Sequence, residues 1–178
     1  MEIILAENHG FCYGVKRAVE MANEAANGKG KSYTLGPIIH NPQVVGRLES
    51  KGVSPIQEVS DIDEGTMIIR SHGVGPAIYE EAEEKGLAIV DATCPHVKKA
   101  QQDAKSVIED GMTLVILGEK NHPEVKSINL WANNKGIIIE DEDSAKNLQV
   151  VEKMGVVVQT TFSQFKFNSI IEILEKKS

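Results

Sequence analysis

The sequence has no hydrophobic run that approaches the roughly 18 consecutive apolar residues needed to cross a bilayer. It also lacks a basic region ahead of an apolar signal core at its N-terminus, so we expect a globular protein of the cytoplasm. Cysteine is scarce, because only Cys12 and Cys94 occur among 178 residues. Their wide separation and the absence of secretory features favour a reduced, functional pair of thiols over a disulfide.

Positive charge is also in deficit. The 19 lysines and arginines are outnumbered by 26 aspartates and glutamates, which gives a net charge of −7 at pH 7. Because the sequence shows no basic patch, we do not expect the chain to bind nucleic acid. A small anionic substrate remains compatible with this charge, provided that histidines, hydroxyls and backbone N–H groups hold it locally against the overall field.

Low-complexity tracts and flexible spacers are absent, and apolar runs alternate with helical patterns along the whole chain. The predicted strands lie at residues 3–6, 32–35, 66–69, 88–90, 113–117, 136–139 and 156–159. The predicted helices lie at residues 15–26, 42–51, 76–85, 97–109, 123–133 and 163–176. This alternation is typical of α/β proteins with mainly parallel sheets, and we predict two tandem, similar domains at 1–86 and 87–178 with a cleft between them.

The two cysteines occupy similar sequence contexts. Each is preceded by an apolar run that predicts a strand, at 3–6 for Cys12 and at 88–90 for Cys94, and each is followed directly by an amphipathic helical pattern. Both thiols should therefore lie near helix N-termini, where exposed N–H groups and the positive end of the helix dipole favour thiolate. Thiolate is the form that ligates metals, so we interpret the pair as reactive rather than structural.

Three histidines follow predicted strands directly or stand in the next turn. They are His40, His72 and His122, and glycine or proline neighbours of each fit tight loops. In open α/β sheets, ligands gather beyond the carboxyl ends of the strands, where loops from distant sequence positions converge. We therefore predict that these histidines line a binding site.

Six short motifs occur in order along the chain. They are GFCYGVKRA at 10–18, IHNPQVV at 39–45, SHGV at 71–74, DATCP at 91–95, HPEV at 122–125 and QTT at 159–161. Together these motifs resemble the LytB/IspH family, whose members are 4-hydroxy-3-methylbut-2-enyl diphosphate reductases of isoprenoid precursor synthesis by the methylerythritol phosphate route. The resemblance covers the whole chain.

The resemblance implies an iron-sulfur enzyme of three similar α/β domains around a central 4Fe-4S cluster, with one cysteine ligand from each domain. Cys12 and Cys94 match two of these ligands. The family's third cysteine lies in a third domain, which has no counterpart before Ser178. The resemblance also implies a ferredoxin or flavodoxin type of electron donor.

The same resemblance implies roles for five further residues. His40, His72 and His122 match the histidines that surround the substrate diphosphate with N–H hydrogen bonds. Glu124 matches the acid that relays a proton to the allylic hydroxyl group, and Thr160 matches its hydrogen-bonding helper. Loss of water with uptake of two electrons then yields isopentenyl and dimethylallyl diphosphate.

Two positions depart from the family pattern, since Ser127 stands where glycine is usual and Trp131 follows soon after. Because only two of three cysteines are present, an alternative function is a cluster-free module that binds a diphosphate or a partner. The surface that meets the third domain in the family should expose apolar area here, which predicts binding of that domain or self-association.

Overall fold

The computed structural model describes residues 2–7, 9–28 and 30–177. Within them the helices are α1 (Tyr13–Ala26), α2 (Pro42–Glu49), α3 (Pro76–Glu84), α4 (Pro95–Glu109), α5 (Pro123–Trp131), α6 (Glu142–Asn147) and α7 (Gln164–Leu174), with a short 3₁₀ helix at Val59–Asp61. The strands are β1 (Ser32–Leu35), β2 (Val53–Ile56), β3 (Thr66–Ile69), β4 (Ala88–Asp91), β5 (Thr113–Leu117), β6 (Ile137–Ile139) and β7 (Met154–Val158). Among these residues, no helix is both long and apolar enough to span a membrane.

The strands form two parallel sheets. The first sheet has the order β2-β1-β3-β4, and the second has the order β6-β5-β7. Every strand pairing in both sheets is parallel. The α/β class with parallel sheets that the sequence predicts is therefore confirmed.

Helices cover both faces of the first sheet, as its central strand β3 illustrates. Met67 and Ile69 pack with Ala82 of α3 on one face, whereas Ile68 packs with Ala18 of α1 on the other. All five side chains are buried, because successive residues of a strand point to opposite faces of the sheet. A strand buried on both faces reads as a continuous apolar run, which is the pattern that identified it.

The second sheet is covered in the same way around β5. Leu114 and Ile116 face α4 and α5, whereas Val115 and Leu117 face α6 and α7. Helix α4 follows β4 of the first sheet but packs on β5 and β7 of the second. The turn between β4 and α4 is therefore the crossover from one sheet to the other, and Cys94 stands in it.

One predicted strand, at 3–6, is not formed. The side chains of Ile3, Ile4 and Leu5 are 75%, 83% and 76% exposed, and the segment pairs with neither sheet among the described residues. The apolar pattern is typical of a strand, but a strand requires a hydrogen-bonded neighbour, and none adjoins this segment. Consequently Cys12 follows an extended exposed segment, and the two cysteines share only the helix that comes after each.

The strand before Cys94 belongs to the first sheet. β4 pairs with β3 over four residues, from Thr66 with Ala88 to Ile69 with Asp91. The sheets therefore divide after Asp91, a few residues beyond the predicted domain junction at 86/87. The division into domains at 1–86 and 87–178 stays a prediction.

Besides the 3₁₀ helix at Val59–Asp61, two short elements escaped the sequence prediction. Strand β2 contains Pro55, which interrupts its apolar pattern, but an edge strand tolerates proline because one side of its backbone lies unpaired. Helix α6 has a capping box formed by Asp141 and Ser144 and buries only Ala145, so it lacks the apolar periodicity on which the prediction depended.

Candidate functional site

The three histidines lie together at the carboxyl ends of strands from both sheets. His40 follows β1 and His72 follows β3, which are neighbours in the first sheet, whereas His122 follows the central strand β5 of the second. The ring centroids are 4.6 Å apart for His40 and His72, 5.4 Å for His72 and His122, and 6.2 Å for His40 and His122. One ring nitrogen from each lies within 4.8 Å of the others. We call these three residues the histidine cluster.

His72 is a partly buried member of the histidine cluster and lies among positively charged groups. Burial is the main cause that lowers the pKa of His72 from its usual 6.5 to about 4. Nearby positive charge on His40, Arg70 and His122 lowers this pKa further. The Nδ1 atom of His72 is buried and has no hydrogen-bond partner among the described residues. His72 is therefore neutral at pH 7, and an anion beside it would supply the missing counter-charge.

Ser71 ties the loops of the site together. Its hydroxyl group donates to the carbonyl oxygen of Ile38 at 3.2 Å, and its own carbonyl oxygen accepts the backbone N–H of Cys94 at 2.9 Å. Ile38 stands two residues before His40, and Ser71 precedes His72 directly. These bonds connect two loops of the histidine cluster to the loop that carries the second cysteine.

The hydrogen bonding of His122 favours one tautomer. His122 is the N-cap of α5, and its Nδ1 atom accepts the backbone N–H of Glu124 at 3.2 Å. In the neutral ring Nδ1 therefore carries no proton, so Nε2 carries it and acts as a donor. A donor in the histidine cluster suits an anionic oxygen rather than a metal ion, which requires a lone pair on the ligating nitrogen.

Glu124 is held by Thr160, which lies two residues beyond the end of β7. Its side chain is 2% exposed. One carboxylate oxygen accepts the backbone N–H of Thr160 at 2.6 Å, and the other accepts the Thr160 hydroxyl at 2.9 Å. The pairing of β5 with β7 brings these positions together, since Glu124 follows β5 and Thr160 follows β7. The carboxyl group is thereby fixed on Thr160, while the Glu124 backbone N–H bonds to His122 of the cluster.

Both cysteines are N-cap residues, as the sequence predicts. Cys12 precedes α1 and is exposed, whereas Cys94 precedes α4 and is partly buried; both thiols are free. The first turn of α1 approaches Cys94 closely, because a Cβ atom on Gly14 would lie 2.5 Å from the Cys94 Sγ atom. Two helix N-termini that carry thiols therefore meet at this point.

Substitution of Gly14 by alanine tests this contact. We expect Gly14→Ala to lower the free energy of unfolding by about 1–3 kcal/mol, because the new methyl group overlaps the Cys94 thiol. The matched control is Gly46→Ala in α2, where a Cβ atom meets nothing within 4 Å. That control should gain about 0.5–1 kcal/mol from helix propensity alone. Equal stabilisation of both variants in urea denaturation would contradict the predicted contact.

The two positions that depart from the family pattern both contact the loop after His72. Ser127 is buried and accepts the side-chain amide of Gln101 at 2.6 Å, and both lie against Gly73. The indole N–H of Trp131 donates to the carbonyl oxygen of Val74 at 2.8 Å. The loop is thus attached to α4 and α5, and Gly73 adopts a positive φ of 71° where a side chain would collide with its neighbours.

Gln159 is a supporting residue that the sequence analysis did not single out. It is buried, and its side chain accepts the backbone N–H of Glu119 and donates to the Thr161 hydroxyl. These bonds join the end of β7 to the loop that leads to His122. Its place in the QTT motif, directly before Thr160, was the signal that could have identified it.

Comparisons with known proteins agree on one family. The family model described as LytB protein matches residues 3–178. A 4-hydroxy-3-methylbut-2-enyl diphosphate reductase of Geotalea uraniireducens is 49% identical over 97% of this chain and 61% of its own length. The reductase of that name from Geobacter metallireducens is 49% identical over 99% of this chain and 63% of its own length. The chain therefore spans about three-fifths of these relatives.

Solved structures give the same result. The E-1-hydroxy-2-methyl-but-2-enyl-4-diphosphate reductase of Plasmodium falciparum is similar with a TM-score of 0.90 and 32% identity, over 96% of this chain and 55% of that one. A structure of (E)-4-hydroxy-3-methyl-but-2-enyl diphosphate reductase, described as the terminal enzyme of the non-mevalonate pathway, has a TM-score of 0.82 and 44% identity, over 97% and 63%. The chain belongs to the LytB protein family.

Proposed function

We propose that this chain is part of a cytoplasmic 4-hydroxy-3-methylbut-2-enyl diphosphate reductase, in which it binds the diphosphate group and delivers a proton to the leaving oxygen. In this reaction the allylic C–O bond breaks, and two electrons and two protons convert the substrate into water and isopentenyl or dimethylallyl diphosphate. The electrons come from a donor of the ferredoxin or flavodoxin type. The names of relatives that are 49% identical support this assignment.

One observation carries the proposal. The three imidazole rings of the histidine cluster meet at the ends of two sheets, and the buried residue Glu124 follows His122 in the first turn of α5, with its backbone N–H bonded to the His122 ring. Each element of this arrangement has a separate chemical use, since imidazole N–H groups bind phosphate oxygens and a carboxylic acid transfers protons.

The histidine cluster binds the diphosphate through its ring N–H groups. At pH 7 His72 is neutral because of burial and neighbouring positive charge, and an anion would reverse part of the pKa shift of this residue. His122 presents Nε2–H as a donor because its Nδ1 accepts the backbone N–H of Glu124. Binding of the anion thus stabilises a group of rings that would otherwise repel one another when protonated.

Glu124 holds the proton for the leaving oxygen, and Thr160 orients it. The two hydrogen bonds from the Thr160 backbone N–H and hydroxyl leave the carboxyl group one principal orientation. A group so oriented needs no reorganisation when the substrate hydroxyl lies next to it, which is the requirement for efficient general acid catalysis.

The cysteines fit an iron-sulfur cluster in their chemistry. A 4Fe-4S cluster, when bound, supplies the electrons for this reaction. The free thiols of Cys12 and Cys94 would hold it, because each stands at the N-terminus of a helix, where free backbone N–H groups can donate to cluster sulfur. The absence of a side chain on Gly14 leaves room next to the Cys94 Sγ atom. Two thiolates are fewer than such clusters commonly take, so a further ligand would come from the family's third domain.

A second candidate function is a diphosphate-binding or interaction module without a cluster. The histidine cluster favours it, because all three rings that would bind the diphosphate come from this chain. The exposed apolar side chains of Ile3, Ile4 and Leu5 offer a contact for the third domain or for a second copy of the chain.

Anaerobic reconstitution with iron and sulfide distinguishes the two functions. Iron content and Mössbauer spectra of the reconstituted chain are compared with those of Cys12→Ser and Cys94→Ser. A stoichiometric cluster that either substitution abolishes supports the reductase function. A chain that binds diphosphate but holds no iron, even when the cysteine-bearing third domain of a relative is added in trans, supports the module.

Binding of inorganic pyrophosphate to the cluster-free chain tests the histidines separately. We expect His40→Asn to weaken binding by about tenfold, since a charge-assisted hydrogen bond contributes on the order of 1.5 kcal/mol. The exposed histidine of α4 provides the control, and His96→Asn should bind as the unmodified chain does. Calorimetry at pH 7 measures both affinities, and equal affinities would contradict the proposal for His40.

A further inference from the structure

A second cleft, lined by both polar and apolar residues, adjoins the loop that carries His72. It is a cavity of about 370 Å³, and no member of the histidine cluster lines it. Its lining residues include Arg70 at the end of β3, Lys126 of α5, the amides of Gln57 and Asn121, and the backbone of Gly36 and Gly73. We call this cavity the Arg70 cleft.

Arg70 is a half-buried cation without compensation. Its guanidinium forms no hydrogen bond and no ion pair with any other described residue, and its Nε atom is buried without a partner. Burial lowers the pKa of Arg70, but arginine stays charged at neutral pH. A buried charge is normally paired, because removal from water is costly without a counter-ion. Within the described residues, this half-buried guanidinium is therefore available to an anionic ligand.

The backbone accommodates the guanidinium at this position. A Cβ atom on Gly36 would lie 2.9 Å from an Nη atom of Arg70, so the absence of a side chain allows Arg70 to lie across this turn. Gly36 also has a positive φ of 70°, which favours glycine. Arg70 is thus held in place by packing rather than by a carboxylate.

The charged residues that line the Arg70 cleft are opposite in sign to the net charge of the chain. The chain carries a net charge of −7, yet none of the described residues that line the cleft is acidic. The second cation, Lys126, is exposed on α5, whose N-cap is His122, and it forms no ion pair within the described residues. Two cations and two amides therefore face one space from both halves of the molecule.

We propose that the Arg70 cleft is an anion-binding site that takes a small phosphate-type oxyanion, separately from the histidine cluster. Several oxygens on one small anion can accept hydrogen bonds from Arg70 and Lys126 at once, whereas a single carboxylate offers only two. Because Arg70 follows β3 of the first sheet and Lys126 lies on α5, which packs on the second, the bound anion bridges the two halves next to the His72 loop.

The Nε–H group of Arg70 is a local reporter for this site. The chain has three arginines, so the spectrum of the 15N-labelled protein contains three arginine Nε resonances, from Arg17, Arg47 and Arg70. Titration with inorganic pyrophosphate is carried out on a His40→Asn/His122→Asn double variant, in which the histidine cluster is disabled. We expect a saturable shift of the Arg70 resonance and none of the Arg47 resonance.

Matched substitutions in the same background test the two cations. Arg70→Gln should weaken pyrophosphate binding by at least about tenfold, whereas Arg47→Gln in α2 removes the same charge and should change it little. Lys126→Gln should weaken binding less than Arg70→Gln, with Lys105→Gln in α4 as its control. Arg70→Lys keeps the charge, so it should retain part of the affinity. This result would show that the loss in Arg70→Gln does not come from misfolding.

The possible outcomes separate this proposal from the proposed function. An Arg70 resonance that does not move, or moves only in proportion to the Arg47 resonance, overturns the cleft as an anion site. Equal affinity of the Arg70→Gln and Arg47→Gln proteins does the same. If the double histidine variant retains saturable binding while the unmodified histidine cluster adds no second binding event, the Arg70 cleft stands and the diphosphate role of the histidines fails.

Discussion

Glu124→Ala should lower the free energy of unfolding of this chain by about 2–3 kcal/mol, which places it among the largest effects of any single substitution here. The carboxylate is 2% exposed and accepts both the backbone N–H and the hydroxyl of Thr160, at 2.6 and 2.9 Å. Alanine removes both acceptors, so the two hydrogen bonds that link the segments after β5 and β7 are lost. Urea denaturation at pH 7 measures the loss.

Glu124→Gln should cost less than about 1.5 kcal/mol, because glutamine retains an acceptor for the Thr160 N–H. The Thr160 hydroxyl can rotate and accept a hydrogen bond from the new amide group. Thr160→Val and Thr160→Ser complete the comparison, since valine removes the hydroxyl and serine keeps it. If Glu124→Ala and Glu124→Gln were equally destabilising, the two hydrogen bonds to Thr160 would not account for the stability of this contact.

The same glutamine variant separates binding from proton transfer. An amide cannot act as the acid, so turnover in a cluster-loaded preparation should fall by about 10²–10⁴-fold under the proposed function. Pyrophosphate affinity should change little, because the histidine cluster is intact. A variant that lost affinity and turnover together would assign Glu124 to anion binding or to local folding instead.

The fold was predictable where the apolar pattern coincided with burial. β3 and β5 are buried on both faces and read as continuous apolar runs, so their sequence identified them. The segment at 3–6 has the same pattern but no neighbouring strand, and pairing is not encoded in the pattern of one segment. The sequence pattern missed β2 for the opposite reason. Pro55 breaks the apolar pattern of this segment, but an edge strand still tolerates proline.

The meeting of the histidines followed in part from topology. Parallel strands end at the same edge of a sheet, so the rule brings together His40 and His72, which follow β1 and β3 of the first sheet. His122 follows β5 of the second sheet, so its place beside them depends on how the two sheets are arranged. Their chemical roles stay a prediction.

The supports around these loops could not be predicted in the same way. The bond of Trp131 to Val74 spans 57 positions and that of Gln101 to Ser127 spans 26, and no periodicity links such residues. The isolation of Arg70 is likewise visible only in three dimensions, because a sequence does not show whether a charge has a partner.

His72 should make the stability of this chain depend on pH between about 4 and 6.5. Its pKa is lowered from 6.5 to about 4, first by burial and then by the charges of His40, Arg70 and His122. In this window the unfolded chain binds a proton that the folded chain does not. Stability is therefore complete above pH 6.5 and is lost as the pH falls to about 4, by about 2 kcal/mol after allowance for partial exposure.

His72→Gln should remove this dependence, whereas His96→Gln, at an exposed position of α4, should retain it. Urea denaturation at a series of pH values measures the difference. The carboxylates interfere little, because the lowered pKa values of Asp61, Asp91 and Asp141 put their contribution below pH 3.8. Saturating pyrophosphate should raise the pKa of His72, since an anion in the histidine cluster favours the protonated ring. Identical pH profiles for the His72→Gln and unmodified chains would show that His72 is not held neutral in the folded state.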